Sequence, residues 1–170
     1  RHETEQERRE LHAKQCATRA KKRVRQLCKV MGVDTLLTLT YRACETDLGR
    51  CKADLKEFVR RLRRIVPDFQ AVCGFELQVR GAWHVHLCCR KFDKLLSYKG
   101  AKVKSWNVLR AVWRSVTKDR GGNVDVQSRK RSSQRSPAKL AAYVSKYITK
   151  GFAEGELWSN RWTKFGDAKP

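Results

Sequence analysis

Trp83-His84-Val85-His86-Leu87 places two imidazoles one residue apart in an apolar run. Alternate side chains of a strand leave on one face, so His84 and His86 point the same way. Just upstream, Phe75-Glu76-Leu77-Gln78-Val79 alternates with the same parity, its polar residues even-numbered. If the two segments form a hairpin whose apolar faces share one core, Glu76 falls opposite His86, Gln78 opposite His84 and Val79 opposite Trp83. Arg80-Gly81-Ala82 is then a three-residue loop, a length that commonly carries a glycine. Two neutral imidazoles and a carboxylate converging on a helix-free face can hold a divalent metal with positions left open for substrate. Mg²⁺ or Mn²⁺ suits a carboxylate-containing set, whereas Cys88, which continues the same face, would complete a zinc site. A histidine pair on a strand can also be plain polar surface.

A second chemically capable group lies between Ala138 and Lys150. Ser136 as N-cap and Pro137 in the first turn open a helix there, and Gly151 suits its stop. At about 100° per residue, Leu140, Ala141, Val144 and Ile148 fill one arc, and Tyr143, Lys146, Tyr147 and Lys150 fill another. Tyr147 borders the apolar arc and can be half core; Tyr143 lies further round, beside Lys146. A phenol with a reference pKa near 10 is a weak nucleophile at neutral pH. A lysine one turn away and a nearby metal both favour the phenolate, so this face could carry an activated tyrosine.

The elements that must position these residues are legible from periodicity. Residues 1–31 carry a helical but mostly alanine stripe, so the helix docks weakly or projects, and Gly32 ends it. Leu36–Tyr41 is a strand. Leu48, Cys51, Leu55, Phe58, Val59, Leu62 and Ile65 form a helical stripe stopped by Pro67. Its other face carries Arg60, Arg61, Arg63 and Arg64, either a solvated surface or a nucleic-acid contact. Trp106, Leu109, Val112, Trp113 and Val116 mark a second helix over 105–116, and 123–127 alternates as a further strand. The order β-α-β-β-α-β-α predicts an α+β domain, an antiparallel sheet of about five strands with helices packed on one face. The boundaries read as a basic helical extension over 1–32, a catalytic domain over 33–154 and a C-terminal extension over 155–170.

Thirty-nine Lys and Arg against seventeen Asp and Glu give a formal charge of +22 in 170 residues. That balance points to nucleic acid rather than to an anionic membrane, since no basic amphipathic helix with aromatic anchors is visible. Arg129, Lys130 and Arg131 sit in a polar basic loop, a further candidate for backbone contact. Seven cysteines without a CxxC pair argue for reduced, buried thiols and a cytoplasmic location. The chain opens on Arg1 with Met31 as its only methionine, which reads as a piece of a longer protein. No apolar run is long enough to span a membrane.

In order and at plausible spacing, Leu36–Tyr41 (LLTLTY), Trp83–Leu87 (WHVHL) and Tyr143–Tyr147 (YVSKY) resemble the motifs of the HUH endonucleases that initiate rolling-circle replication of phages and plasmids. The likeness covers about residues 36–151, and its third motif takes the two-tyrosine form of phage gene A-type initiators. It implies an RRM- or palm-like HUH nuclease fold and a divalent metal held by His84, His86 and an acidic residue, for which Glu76 stands ready. It implies that Tyr143 or Tyr147 attacks a DNA phosphate, leaving a 5′-phosphotyrosine and a free 3′-OH, with Lys146 beside the scissile phosphate. The implied partners are single-stranded DNA or an origin hairpin, together with a bacterial host's helicase and polymerase. Glu76–Gly81 and Tyr147–Gly151 are similar also to the Rep domain of Helitron-type transposases. Two other readings compete. The same element order serves RNA-recognition sheets, but these read bases with exposed aromatics where this chain has Glu76, Gln78, His84 and His86. A zinc hydrolase using Cys88 leaves the paired tyrosines unexplained.

Overall fold

The computed structural model describes residues 2–128, 136–153 and 161–169, and for 148–153 the backbone alone. In chain order the elements are α1 (Glu5–Met31), β1 (Thr35–Tyr41), α2 (Leu48–Leu62), β2 (Ala71–Leu77), β3 (Trp83–Cys89), β4 (Leu95–Tyr98), β5 (Ala101–Lys104), α3 (Ser105–Thr117), β6 (Gly122–Ser128), α4 (Pro137–Ala153) and β7 (Trp162–Phe165). Five strands form an antiparallel sheet in the order β6-β1-β3-β2-β7, as the α+β reading requires. The fifth strand is β7, from a segment to which the sequence assigns no role. The two-stranded ribbon β4–β5 is also new.

The hairpin keeps its predicted face but not its predicted register. Glu76 pairs with His84, Leu77 with Trp83, and Gly74 with His86. The Gln78 N–H donates to the Ala82 carbonyl at 2.8 Å and the Gly81 N–H to the Gln78 carbonyl at 2.8 Å. The three-residue loop is therefore Val79-Arg80-Gly81, one residue earlier than expected. A type I turn followed by a left-handed residue needs its glycine third, and Gly81 has φ +85°. Moving the loop by one residue slips the pairing by two, which returns every side chain to the same face.

Both faces of the sheet carry helices. On one, Leu37, Leu39, Phe75, Val85 and Leu87 pack under the apolar stripes of α2 and α3, including Phe58, Leu62, Leu109 and Trp113. On the other, Leu36, Val72 and Cys88 pack against Val24, Leu27, Cys28 and Met31 of α1 and Leu140, Ala141 and Val144 of α4. The face expected to be free of helices is thus partly covered. The reason is non-local: α4 and α1 have one apolar stripe each and bury them jointly against the sheet. The weak stripe of α1 docks only through its C-terminal half; from Glu5 to Cys16 no residue is buried.

Gly74 lets α4 lie this close. A Cβ at that position would meet Val144 Cγ1 at 2.7 Å. Gly74→Val should therefore push α4 away from β2 and cost about 1–3 kcal/mol, the usual range for overpacking. Chemical denaturation measures it; an unchanged midpoint would show that α4 adapts freely.

Two expected boundaries also move. Trp106 is exposed rather than core: its indole N–H donates to the Val124 carbonyl of edge strand β6 at 2.9 Å, and the Arg110 guanidinium stacks on its outer side at 3.8 Å. Val108 takes the buried position. α4 runs through Gly151 to Ala153, since a glycine permits a helix stop without imposing one. A buried ion-pair network at the N-terminal end of α2 is likewise absent from the sequence reading. Arg120 bridges Asp54 (2.6 and 2.8 Å) and Glu45 (3.1 Å), while the Tyr41 hydroxyl donates to Asp54 at 2.6 Å.

Candidate functional site

Four elements contribute to one cluster. β3 presents His84 and His86, β2 presents Glu76, and β1 presents Thr38 directly across from His86. α4 crosses the same face and lays Tyr143, Lys146 and Tyr147 on it. Alternation within each strand is enough to aim the sheet residues; the helix arrives because Leu140, Ala141 and Val144 need cover.

His86 is the centre. Its Nδ1 lies 3.1 Å from Thr38 Oγ1, and its Nε2 lies 3.4 Å from Glu76 Oε1. The same carboxylate oxygen is 3.9 Å from His84 Nδ1. His84 Nε2 is buried without a hydrogen-bond partner. The Tyr147 ring stacks on His86 at 4.8 Å and 8°, and the Tyr143 ring meets it edge-on at 5.4 Å and 86°. Lys146 Nζ sits 4.1 Å from the Tyr143 ring centroid and 5.0 Å from that of Tyr147.

The electrostatics follow from partial burial. Both imidazole pKa values are lowered, by desolvation first; Glu76 opposes this, and Lys146 adds to it at His86. Neutral imidazoles are the form that ligates a metal. Tyr147 departs from the expectation of a favoured phenolate. Burial first, then its hydrogen bonds to Tyr143 and Glu76 and the Glu76 charge, push its phenol well above the usual range. Tyr147 is only 6% exposed, against 37% for Tyr143.

The residues fit a divalent cation. Among the described residues no three His, Cys, Asp or Glu side chains are already gathered as a metal site; Glu76 instead faces both imidazoles. The fit rests on the donor set and on the buried, unpartnered His84 Nε2. If Thr38 Oγ1 accepts the Nδ1 proton of His86, Nε2 is the basic nitrogen turned toward Glu76, the arrangement by which an outer partner orients a ligating histidine. Cys88 does not join them. It lies buried under α4, with its Sγ 3.6 Å from the Leu140 carbonyl, and a hydrogen bond with Cys28 together with burial pushes its thiol up. Five of the seven free cysteines are buried, as expected.

The predicted DNA contacts are not brought to this cluster. Arg60, Arg61, Arg63 and Arg64 belong to α2 and the turn after it, on the opposite side of the sheet. Arg60 and Arg61 both bind Glu57, Arg61 reaches the Ser115 carbonyl at 3.0 Å, and Arg63 holds the Phe69 carbonyl at 3.0 and 3.1 Å. Arg61 and Arg63 thus tie elements together. Arg129, Lys130 and Arg131 lie outside the described residues, as does the Lys150 side chain. Two residues escaped the sequence reading, Thr38 and Gly74. The alternation of Leu37-Thr38-Leu39-Thr40 carried the signal for Thr38, since its polar residues must share the face of whatever polar residues the next strand offers.

Among the described residues no helix is long and apolar enough to cross a membrane. No curated protein and no solved structure matches the chain. The protein family described as replication-associated protein ORF2 matches residues 34–152, which include every strand and helix that builds the cluster. Over that span, well beyond half of its length, the chain belongs to this replication-associated protein family.

Proposed function

We propose that this protein is a metal-dependent nicking and joining enzyme for single-stranded DNA, which initiates rolling-circle replication through a covalent 5′-phosphotyrosine. The observation that carries this reading is the position of Tyr143, Lys146 and Tyr147 directly over Glu76, His84 and His86. Membership of a replication-associated family supplies the biological setting.

Glu76, His84 and His86 would hold Mg²⁺ or Mn²⁺, which when bound draws charge from the non-bridging phosphate oxygens. Tyr143, the more exposed phenol, presents its oxygen to the phosphorus. A new O–P bond forms as the P–O3′ bond breaks, the phenol gives up its proton, and the leaving 3′ oxygen takes one up. Lys146 keeps a positive charge beside the reacting phosphate. The tyrosyl ester retains the energy of the broken bond, so the strand can be rejoined without ATP. Tyr147, one turn away, is placed for the second transfer. The free 3′-OH is then a primer for host helicase and polymerase, in the bacterial cytoplasm.

The Rep domain of a rolling-circle transposase would use the same chemistry. A non-catalytic nucleic-acid-binding sheet is disfavoured, because α4 covers part of the face that such a module would open to bases.

The test is incubation with single-stranded origin DNA and Mn²⁺, followed by denaturing electrophoresis. A covalent protein–DNA band is expected with Mn²⁺ or Mg²⁺ and is expected to disappear with EDTA. A band insensitive to EDTA would remove the metal, and no band on any replicon's origin would remove the mechanism.

A further inference from the structure

The stretch between Glu10 and Asp34 contains no carboxylate, and it carries Lys14, Arg19, Lys21, Lys22, Arg23, Arg25 and Lys29. All of these lie in α1, which precedes the family-matched residues 34–152. At about 100° per residue, Lys14, Lys21, Lys22, Arg25 and Lys29 fall within one arc of about 100° that begins beside the buried stripe. Four of the five are exposed and Lys21 is half-buried. None is drawn into an ion pair among the described residues. Val24, Leu27, Cys28 and Met31 fix this helix against Leu140, Ala141 and Val144 of α4, on the sheet face that carries the histidines.

We infer that α1 is a rail for the phosphate backbone of duplex DNA next to the cleaved strand, a flanking duplex or a hairpin stem. Lys14 to Lys29 spans about 22 Å of helix. That length matches roughly six base pairs, at about 3.4 Å per pair. The choice of duplex over single strand rests on composition. Platforms for single strands interleave cations with aromatic rings on which bases stack; α1 contains no Phe, Tyr or Trp. A straight row of cations without stacking surfaces reads phosphates alone, so the contact adds affinity and placement but no sequence preference. Because the buried stripe of α1 is packed on α4, a duplex held on this rail has a fixed relation to Tyr143 and Tyr147.

The inference rests on DNA being the ligand, as proposed above, but not on cleavage. Binding is measured in the Tyr143→Phe/Tyr147→Phe background by fluorescence anisotropy over a salt series. The probes are a hairpin with a single-stranded arm and a single strand of equal length. Changing Lys14, Lys21, Lys22, Arg25 and Lys29 together to Gln keeps good helix formers at every position. For the hairpin, the slope of log affinity against log salt should become shallower by about 3 to 4.5, at about 0.9 per lost phosphate contact. The single strand should lose less than half as much. A control changes Arg60 and Arg64, exposed on the opposite side, to Gln and should leave the hairpin slope nearly unchanged. An unchanged hairpin slope in the five-fold variant overturns the rail. So does an equal loss on both probes, or an equal loss per charge in the control, since either reduces the effect to net charge. If the parent binds neither probe, the DNA reading itself fails.

Discussion

Replacing His84 and His86 together with alanine should lower DNA cleavage by at least about 10²–10³-fold, the scale on which removing charge stabilisation at a reacting oxyanion is felt. Affinity for the oligonucleotide should stay within a few-fold, because the basic surface is untouched. The site makes this sharp: one carboxylate oxygen serves both imidazoles, at 3.4 and 3.9 Å, and neither ring has a substitute nearby. His86 is also buried and stacked beneath Tyr147, so its truncation leaves a void. The companion variant His84→Gln/His86→Asn fills most of that volume without offering imidazole nitrogens. It should match the alanine variant in activity while melting closer to the parent. Residual cleavage in either variant should no longer respond to EDTA or Mn²⁺. Full, EDTA-sensitive activity in both would show that the metal is held elsewhere.

The second large effect concerns the two phenols. Tyr143→Phe removes only an oxygen from a side chain 37% exposed, so stability should change by less than about 0.5 kcal/mol. The covalent adduct on a first-cleavage substrate should fall by more than about 10³-fold, as expected for loss of a nucleophile. Tyr147→Phe should still form that adduct but fail to complete strand transfer. The order follows from the surroundings of each ring. Lys146 lies nearer the Tyr143 ring, 4.1 Å against 5.0 Å. The Tyr147 hydroxyl is buried and bonded to Glu76 and Tyr143, which holds its proton firmly until that carboxylate is engaged elsewhere. Peptide mapping of the trapped adduct decides the order. DNA found only on Tyr147 reverses it, and DNA on neither tyrosine ends the two-tyrosine mechanism.

Much of this arrangement was written in local periodicity. The period of two in 83–87 and 75–79 settled that Glu76, His84 and His86 share a face, because side-chain alternation depends only on neighbouring dihedrals. The slipped hairpin shows how robust that is: a register change of two residues altered which residue faces His84 and left the face intact. The helical stripes of α2, α3 and α4 and the segregation of Leu140, Ala141 and Val144 from Tyr143 and Lys146 were equally local.

What the tertiary structure decided are the relations between segments far apart in the chain. Only the packed fold set α4 across the histidine face, with Gly74 admitting Val144 and α1 sharing its apolar cover. Burial divides the two tyrosines there, and a helical wheel cannot predict that division, since it knows an arc but not what lies above it. β7 completes the sheet against β2, and Arg120 finds Asp54 and Glu45 from a distant stretch of the chain. Strand pairing and buried ion pairs are chosen by whichever distant groups remain unsatisfied once the core has closed, and no window of sequence contains both partners.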